Sequence, residues 1–228
     1  MLLILARHGN TFDAGDKIVW VGARTDLPLT AKGREQAAVL GSALAGAAPR
    51  IKRVIAGPLK RTQEHAGLVA AKIGLGDSVE TDERLREIDY GLWEAKSADE
   101  IEALGGKCEL AAWNERGTWP HSPGWSPPEE TVAANIRHLA GELAQTLAYD
   151  DAALLVTSNG VLKFFLKIVP GAFEEKALKS ALKVATGACC ALQYDEKGWR
   201  VLFWNRPPPT CDFASLSAPS SRPELPRV

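Results

Sequence analysis

Four separated places in the chain carry residue types that could together transfer a phosphoryl group. They are Arg7-His8, Arg61, Glu87 and Asn159-Gly160. An imidazole can act as a nucleophile near neutral pH, and guanidinium groups suit the oxygens of a phosphoryl group. A carboxyl group can protonate a leaving alkoxide, and an asparagine amide can donate a further hydrogen bond. The set therefore predicts chemistry through a covalent histidine, provided that folding brings its members together.

The elements predicted around these residues would bring them to one edge of a sheet. The apolar run at residues 2–6 predicts a strand buried on both faces that ends at Arg7 and His8. A second such run, residues 152–158, ends just before Asn159. Arg61 lies in the first turn of a helix predicted over 59–73. Because ligands bind where the strands of open α/β sheets end, we expect these residues to lie close together at that edge.

The remaining pattern predicts a mixed sheet with helices between its strands. Residues 97–128 predict a short helix and then a loop rich in Trp and Pro, with Trp113, Trp119 and Trp125 forming either a rim beside the site or a packed surface loop. The other predicted elements are a helix capped by Thr30 and ending near Gly46, a strand at 53–56, helices at 129–148, from about 161 and at 173–183, and a hairpin of strands 187–194 and 199–204.

The amino-acid composition is that of an ordinary globular protein. The 228 residues have a net charge of -1, with 46% hydrophobic and 24% charged residues, which gives no general attraction to nucleic acid or to an anionic membrane. Without an evident membrane span or signal peptide, we expect a cytoplasmic protein. The four cysteines and four histidines lack metal-ligand spacing, so neither a metal nor a cofactor is predicted. The sequence leaves a homo-oligomer open.

The segments around the reactive positions resemble the histidine phosphatase superfamily, in the branch of phosphoglycerate mutases and small-molecule phosphatases. The resemblance rests on Arg7 to Thr11, Arg24 to Thr30, Leu59 to Thr62 and Leu85 to Glu94. It implies an α/β fold, a three-layer α/β/α sandwich whose mixed, mostly parallel sheet has helices on both faces. It spans residues 1–205, which we take as the domain, and leaves 206–228 as a Pro-rich C-terminal tail.

The resemblance also implies roles for individual residues. His8 would be phosphorylated, and Glu87 would donate and accept the proton. The phosphate-binding residues would be Arg7, Arg61, Asn10 and Asn159.

The chain departs from the family at the second pocket histidine, where Ser158-Asn159-Gly160 stands in place of Ser-His-Gly. Asparagine keeps one neutral donor on a shorter arm, so we expect it to weaken transfer without abolishing it. His65, four residues after Arg61, is a candidate to replace the positive charge of the missing pocket histidine, with a structural histidine as the alternative.

Ala14 stands where many members have asparagine. The region 113–125 offers only Arg116 for a glycerate carboxylate, which argues against mutase activity.

These observations predict a metal-independent phosphomonoesterase, a phosphoric monoester hydrolase of the histidine acid phosphatase type. Its substrate would be a small phosphorylated metabolite, with a phosphohistidine intermediate on His8. The alternatives are a weakly active or inactive phosphoester-binding protein of the same fold, and a mutase-like phosphotransferase. Taken singly, Glu87 could pair with Arg84 or Arg86, Arg61 could be a solvated cation, and Asn159 could belong to a plain turn.

Overall fold

The computed structural model describes residues 1–76 and 78–216. The strands are β1 (Leu2–Arg7), β2 (Ile51–Ala56), β3 (Val79–Thr81), β4 (Ala152–Thr157), β5 (Cys189–Asp195) and β6 (Gly198–Arg206). The α-helices are α1 (Ala31–Leu44), α2 (Lys60–Lys72), α3 (Ala98–Ala103), α4 (Lys107–Arg116), α5 (Glu129–Thr146), α6 (Asn159–Leu162) and α7 (Ala172–Leu178). Short 3-10 helices occupy Ala45–Arg50, Glu83–Leu85, Gly91–Trp93, Lys163–Ile168 and Pro208–Thr210.

The strands form one six-stranded sheet in the order β3-β2-β4-β1-β5-β6. Strand β1 pairs in parallel with β4 and antiparallel with β5, while β2 pairs in parallel with both β3 and β4. The carboxyl ends of β1, β2 and β4 therefore meet at one edge of the sheet. The mixed, mostly parallel sheet predicted above is confirmed.

Strand β1 is buried because each of its two faces is covered by helices. Its side chains alternate, so Leu3 and Leu5 join a core cluster that contains apolar residues of α5. Leu2, Ile4 and Ala6 point to the other face, into a cluster built largely from α1 and α2. Helices thus lie on both faces of the sheet, which confirms the three-layer α/β/α sandwich.

The region between Ser97 and Pro128 is more helical than predicted. A capping box at Ser97 and Glu100 begins α3, and a second helix, α4, follows it where a loop was predicted. Helix α4 ends at Gly117, whose left-handed φ of 67° suits glycine. The loop prediction was wrong for Trp113 because the prolines that prompted it lie beyond that C-cap.

Two predicted helices are shorter than their apolar patterns suggested. After Asn159 the chain makes a single α-helical turn, α6, and then continues as the 3-10 helix Lys163–Ile168. The helix predicted over 173–183 ends at Leu178. No helix among the described residues is both long and apolar enough to cross a lipid bilayer.

The first residues of the predicted tail pack against the domain. Strand β6 continues through Arg206, and Phe213 is buried in the cluster beneath α1 and α2, with its ring 6.0 Å from that of Phe203. Residues 217–228 lie outside the described residues. The division into a domain and a Pro-rich tail stays a prediction, but packing continues beyond the point at which composition placed the boundary.

Candidate active site

His8 stands at the end of β1 with one ring nitrogen hydrogen-bonded and the other without a partner among the described residues. Its Nδ1 lies 2.8 Å from the carbonyl oxygen of Gly9, and because a carbonyl can only accept, we assign the proton to Nδ1. The Nε2 atom therefore carries the lone pair. Burial, followed by the charges of Arg7 and Arg61, lowers the pKa of His8 well below its ordinary value. The ring is therefore neutral and held in one orientation, with chemistry that suits a nucleophile.

The backbone of His8 is hydrogen-bonded to the chain segments on either side of β1. The His8 N–H donates to the Thr157 carbonyl of β4, and its carbonyl accepts from Gly187, both at 3.1 Å. Gly9 lies against α1, where an added Cβ would come within 2.3 Å of the Gly33 carbonyl oxygen. The backbone beside His8 therefore has no room to shift toward α1.

His65 supports this backbone and is not a cation. Its Nδ1 accepts the Gly9 N–H at 3.1 Å, which requires that nitrogen to be unprotonated. Burial lowers the pKa of His65 to about 4, so the ring is neutral at physiological pH. His65 is not among the residues that line the cavity beside His8. The hypothesis that it replaces the missing pocket cation is wrong, and the structural alternative fits these contacts.

Among the described residues, Arg7 has a buried donor without a partner, whereas all three nitrogens of Arg61 donate hydrogen bonds within the chain. Arg7 donates from Nη1 to the Val184 carbonyl at 2.7 Å, whereas its buried Nε has no hydrogen-bond partner among the described residues. Arg61 is fully buried and donates from Nη1 to Thr25 O at 2.9 Å and from Nη2 to Gly22 O at 3.1 Å. Arg61 is therefore not a solvated first-turn cation. The orphaned Nε of Arg7 is a donor suited to an anion.

Glu87 is buried beside the first turn of α6. Its carboxylate accepts the N–H of Gly160 at 3.0 Å on Oε2, and the N–H groups of Val161 and Ile88 at 3.2 and 3.0 Å on Oε1. The Tyr90 hydroxyl also bonds to Glu87, and burial raises the pKa of Tyr90 well above its ordinary value. These donors hold the carboxylate in a single orientation within the site.

The arginines near Glu87 in sequence have other partners. Arg84 pairs with Asp82 at 2.6 Å, and Arg86 pairs with Glu83 at 2.7 Å. The structural alternative for Glu87, an ion pair with either of them, is wrong.

The two asparagines present amide groups to the same cavity. Asn159 is the first residue of α6, and its Oδ1 accepts the Val184 N–H at 2.9 Å, while its NH2 group has no partner in residues 1–76 and 78–216. Asn10 accepts on Oδ1 from the Thr186 hydroxyl, which likewise leaves its NH2 group. Both residues line the cavity, so each can offer neutral donors to a bound anion.

A cavity of about 750 Å³ brings the predicted site residues together. Arg7, His8, Asn10, Arg61, Glu87 and Asn159 all line it. Trp113 contributes from α4, whereas Trp119 and Trp125 pack into an aromatic cluster instead, so the predicted rim is wrong for these two.

Sequence reasoning missed Lys163 and Lys183, which also line the cavity. A lysine one turn after Asn159, within an otherwise apolar run, was the available signal.

The same architecture and sequence segments recur in known proteins. The sequence profile of the histidine phosphatase superfamily (branch 1) matches residues 3–207. The chain belongs to this superfamily. It is 26% identical over 204 residues to the protein named "Probable phosphoglycerate mutase GpmB" of Salmonella arizonae, a match that covers 88% of each chain. It is 31% identical over 142 residues to the glucosyl-3-phosphoglycerate phosphatase of Mycobacterium tuberculosis, covering 62% of this chain and 59% of that relative.

Solved structures of the superfamily share the fold. The mycobacterial glucosyl-3-phosphoglycerate phosphatase in complex with VO3 superposes with a TM-score of 0.72 at 25% identity, covering 90% of this chain and 98% of that one. The α-ribazole phosphatase of Shigella flexneri gives a TM-score of 0.70 at 23% identity, covering 90% and 96%, which shows the fold alone. The chain is therefore a member of this superfamily with asparagine at position 159.

Proposed function

We propose that this histidine phosphatase hydrolyses small phosphate monoesters, without a metal ion, through a phosphohistidine on Nε2 of His8. One observation carries the proposal: the free lone pair of a neutral His8 shares a cavity with the unsatisfied Nε of Arg7 and with Glu87. The names of relatives that are phosphatases support the reaction class. Cytoplasmic location and the absence of a nucleic-acid partner stay predictions.

In the first half of the reaction, Nε2 of His8 attacks phosphorus and the bond to the ester oxygen breaks. This step requires a proton on Glu87, which passes to the leaving alkoxide. The phosphorylated ring becomes cationic and keeps its Nδ1–H bond to the Gly9 carbonyl. Arg7 and Arg61 balance the charge on the oxygens that are not transferred.

In the second half, water attacks phosphorus and the N–P bond breaks. Glu87, now a carboxylate, takes a proton from that water, and orthophosphate leaves. His8 returns to its neutral form and Glu87 to its protonated form, so the cycle balances. Because Glu87 is held by the N–H groups of Gly160 and Val161, the same carboxyl group faces both the alkoxide and the water.

The experiment is a panel of phosphate monoesters assayed with excess EDTA. We expect turnover that EDTA leaves unchanged and that His8→Ala abolishes, together with an acid-labile, alkali-stable phosphoenzyme in the native protein. His138→Ala is the matched control, since His138 is exposed on α5. Turnover that EDTA removes, or that survives His8→Ala, would contradict the proposal.

A second candidate, a phosphoester-binding protein with little catalysis, is favoured by the neutral Asn159 amide and by the four donors on Glu87. Thermal stabilisation by phosphate monoesters without product formation would support it. Mutase activity is disfavoured, because Arg116 pairs with Glu115 at 3.2 Å and does not line the cavity.

A further inference from the structure

Lys163 places a buried ammonium group on the wall of the active-site cavity. The residue is 2% exposed and begins the 3-10 helix that follows α6. Its Nζ lies 3.6 Å from the centre of the Trp113 ring of α4. Lys163 forms no hydrogen bond or ion pair with any part of the chain that the structure describes. All three N–H donors of a buried cation are therefore unused.

A neighbouring lysine shows what structural pairing looks like in the same segment. Lys167 also packs over aromatic rings, those of Phe164 and Phe173, but its ammonium is bonded to Glu129 at 2.5 Å. It does not line the cavity. A ring face alone offsets only part of the penalty for burying a cation, so Lys163 lacks the compensation that Lys167 has. An anion in the cavity would supply it.

We propose that Lys163 binds an oxygen of the phosphoryl group and supplies there the positive charge that Asn159 cannot carry. The inference rests on the proposed phosphomonoesterase site. Lys163 follows Asn159 by about one helical turn, and both side chains line the same cavity. The nucleophile, both arginines, the amide and the ammonium would then surround one anion.

The electrostatic surroundings fit such a role. Burial, followed by the charges of Arg7 and Lys183, lowers the pKa of Lys163 to about 7, while Glu87 opposes this shift. The ion pair of Lys167 with Glu129 lies in the same 3-10 helix and in α5. A bound anion favours the charged amine, so it should bind more tightly below pH 7 than above it. His8 and Tyr90 keep their neutral forms across this range.

The test measures the affinity of sulfate and orthophosphate by calorimetry in the full-length protein. Sulfate is the primary probe because its own charge is constant between pH 6 and 8.5. Lys163→Met should weaken sulfate binding by about tenfold to a hundredfold, in line with the loss of a charged hydrogen bond. Lys163→Arg should stay within a few-fold of the native protein. Lys167→Met is the matched control and should bind sulfate normally.

A pH series provides evidence that does not depend on how well Lys163→Met folds. Sulfate affinity of the native protein should fall from pH 6 to 8.5, and Lys163→Arg should flatten this dependence. Native-like sulfate affinity in folded Lys163→Met, or a flat native profile, would overturn the inference. Unchanged sulfate and orthophosphate binding with a raised KM only for esters that carry a second anion would also overturn it, by assigning Lys163 to the leaving group.

Failure of the proposed function has a different signature. In that case no ester is turned over, yet sulfate binding persists and still depends on Lys163.

Discussion

The side-chain oxygen of Asn159 accepts a hydrogen bond from the backbone N–H of Val184 at 2.9 Å. This contact decides which end of the amide faces the cavity, because the oxygen is turned toward Val184 and the NH2 group is left for a ligand. The same Val184 residue accepts from Nη1 of Arg7 through its carbonyl. Position 159 is therefore a directed neutral donor, and Val184 links it to Arg7, the neighbour of His8 in sequence.

Replacing Asn159 by histidine should raise kcat more than it changes KM. A neutral histidine could accept the Val184 N–H on Nδ1 and present Nε2–H to the phosphoryl group. When protonated it would carry a full charge but could no longer accept from Val184. Since a preorganised donor is worth ~10²–10³ in kcat and asparagine retains one, we expect a gain of about tenfold. Steady-state kinetics on the best ester measures it.

The gain from Asn159→His should be larger in the Lys163→Met background, where the imidazole replaces a missing cation instead of adding to one. An unchanged or lower kcat in both backgrounds would show that the pocket is built around asparagine.

Adding a methyl group at Gly160 should damage catalysis through Glu87. A Cβ there would come within 2.4 Å of Glu87 Oε1 and 2.5 Å of the Tyr90 hydroxyl, so the carboxylate must move. Because displacement of a catalytic group by about 1 Å can cost about 10²-fold, Gly160→Ala should lower kcat by that order. Gly141→Ala in α5 should leave kcat unchanged, because an added Cβ meets no described atom within 4 Å outside the backbone of its own helix. Equal activity of the two variants would count against the assigned role of Glu87.

His65 should make the protein less stable in mild acid. Its pKa is about 4 in the folded state against 6.5 when unfolded, so the unfolded chain binds more protons between these values. The free energy of unfolding is then highest above pH 6.5 and falls toward pH 4, with about 2 kcal/mol of the loss complete by pH 5. Urea unfolding at pH 7.5 and 5 measures the difference.

The control for this acid sensitivity is His65→Asn, whose side-chain oxygen can still accept the Gly9 N–H but does not titrate. Between pH 7.5 and 5, the free energy of unfolding of this variant should fall by about 2 kcal/mol less than that of the native protein. His8, whose pKa is also lowered, adds a term of the same sign to both proteins. Parallel curves for the variant and the native protein would rule out His65 as the source.

Phe213 should contribute to stability although it lies beyond the predicted domain boundary. Its ring is 1% exposed and packs near Phe203, and truncating a buried phenylalanine to alanine typically costs about 3–5 kcal/mol. Phe213→Ala should therefore lower the denaturation midpoint while kcat stays near the native value. Leu178→Ala, at a position 88% exposed, should change stability by less than about 0.5 kcal/mol. Similar midpoints for both variants would mean that residues beyond Arg206 add little.

The sequence predicted the central sheet and the main site residues because local pattern and global position agree there. The apolar run before His8 predicts a strand with both faces buried, and β1 is buried in this way. Lys163 was not foreseen, since a lysine in an apolar run is ordinarily solvated and its contact with Trp113 joins residues 50 positions apart. Phe213 was missed because flanking prolines hid a single buried side chain. In both cases tertiary packing, which no local period records, decides the outcome.

The placement of His8 at the end of β1 has a consequence for which parts of the molecule open locally. Strand β1 has paired neighbours on both sides, while Trp113 reaches the cavity from α4, a peripheral helix of ten residues. Amide protons of Leu3 to Ala6 should therefore exchange with solvent only on global opening, and those of α4 through local excursions. Local opening of α4 would then widen the cavity while His8 keeps its place at the end of β1.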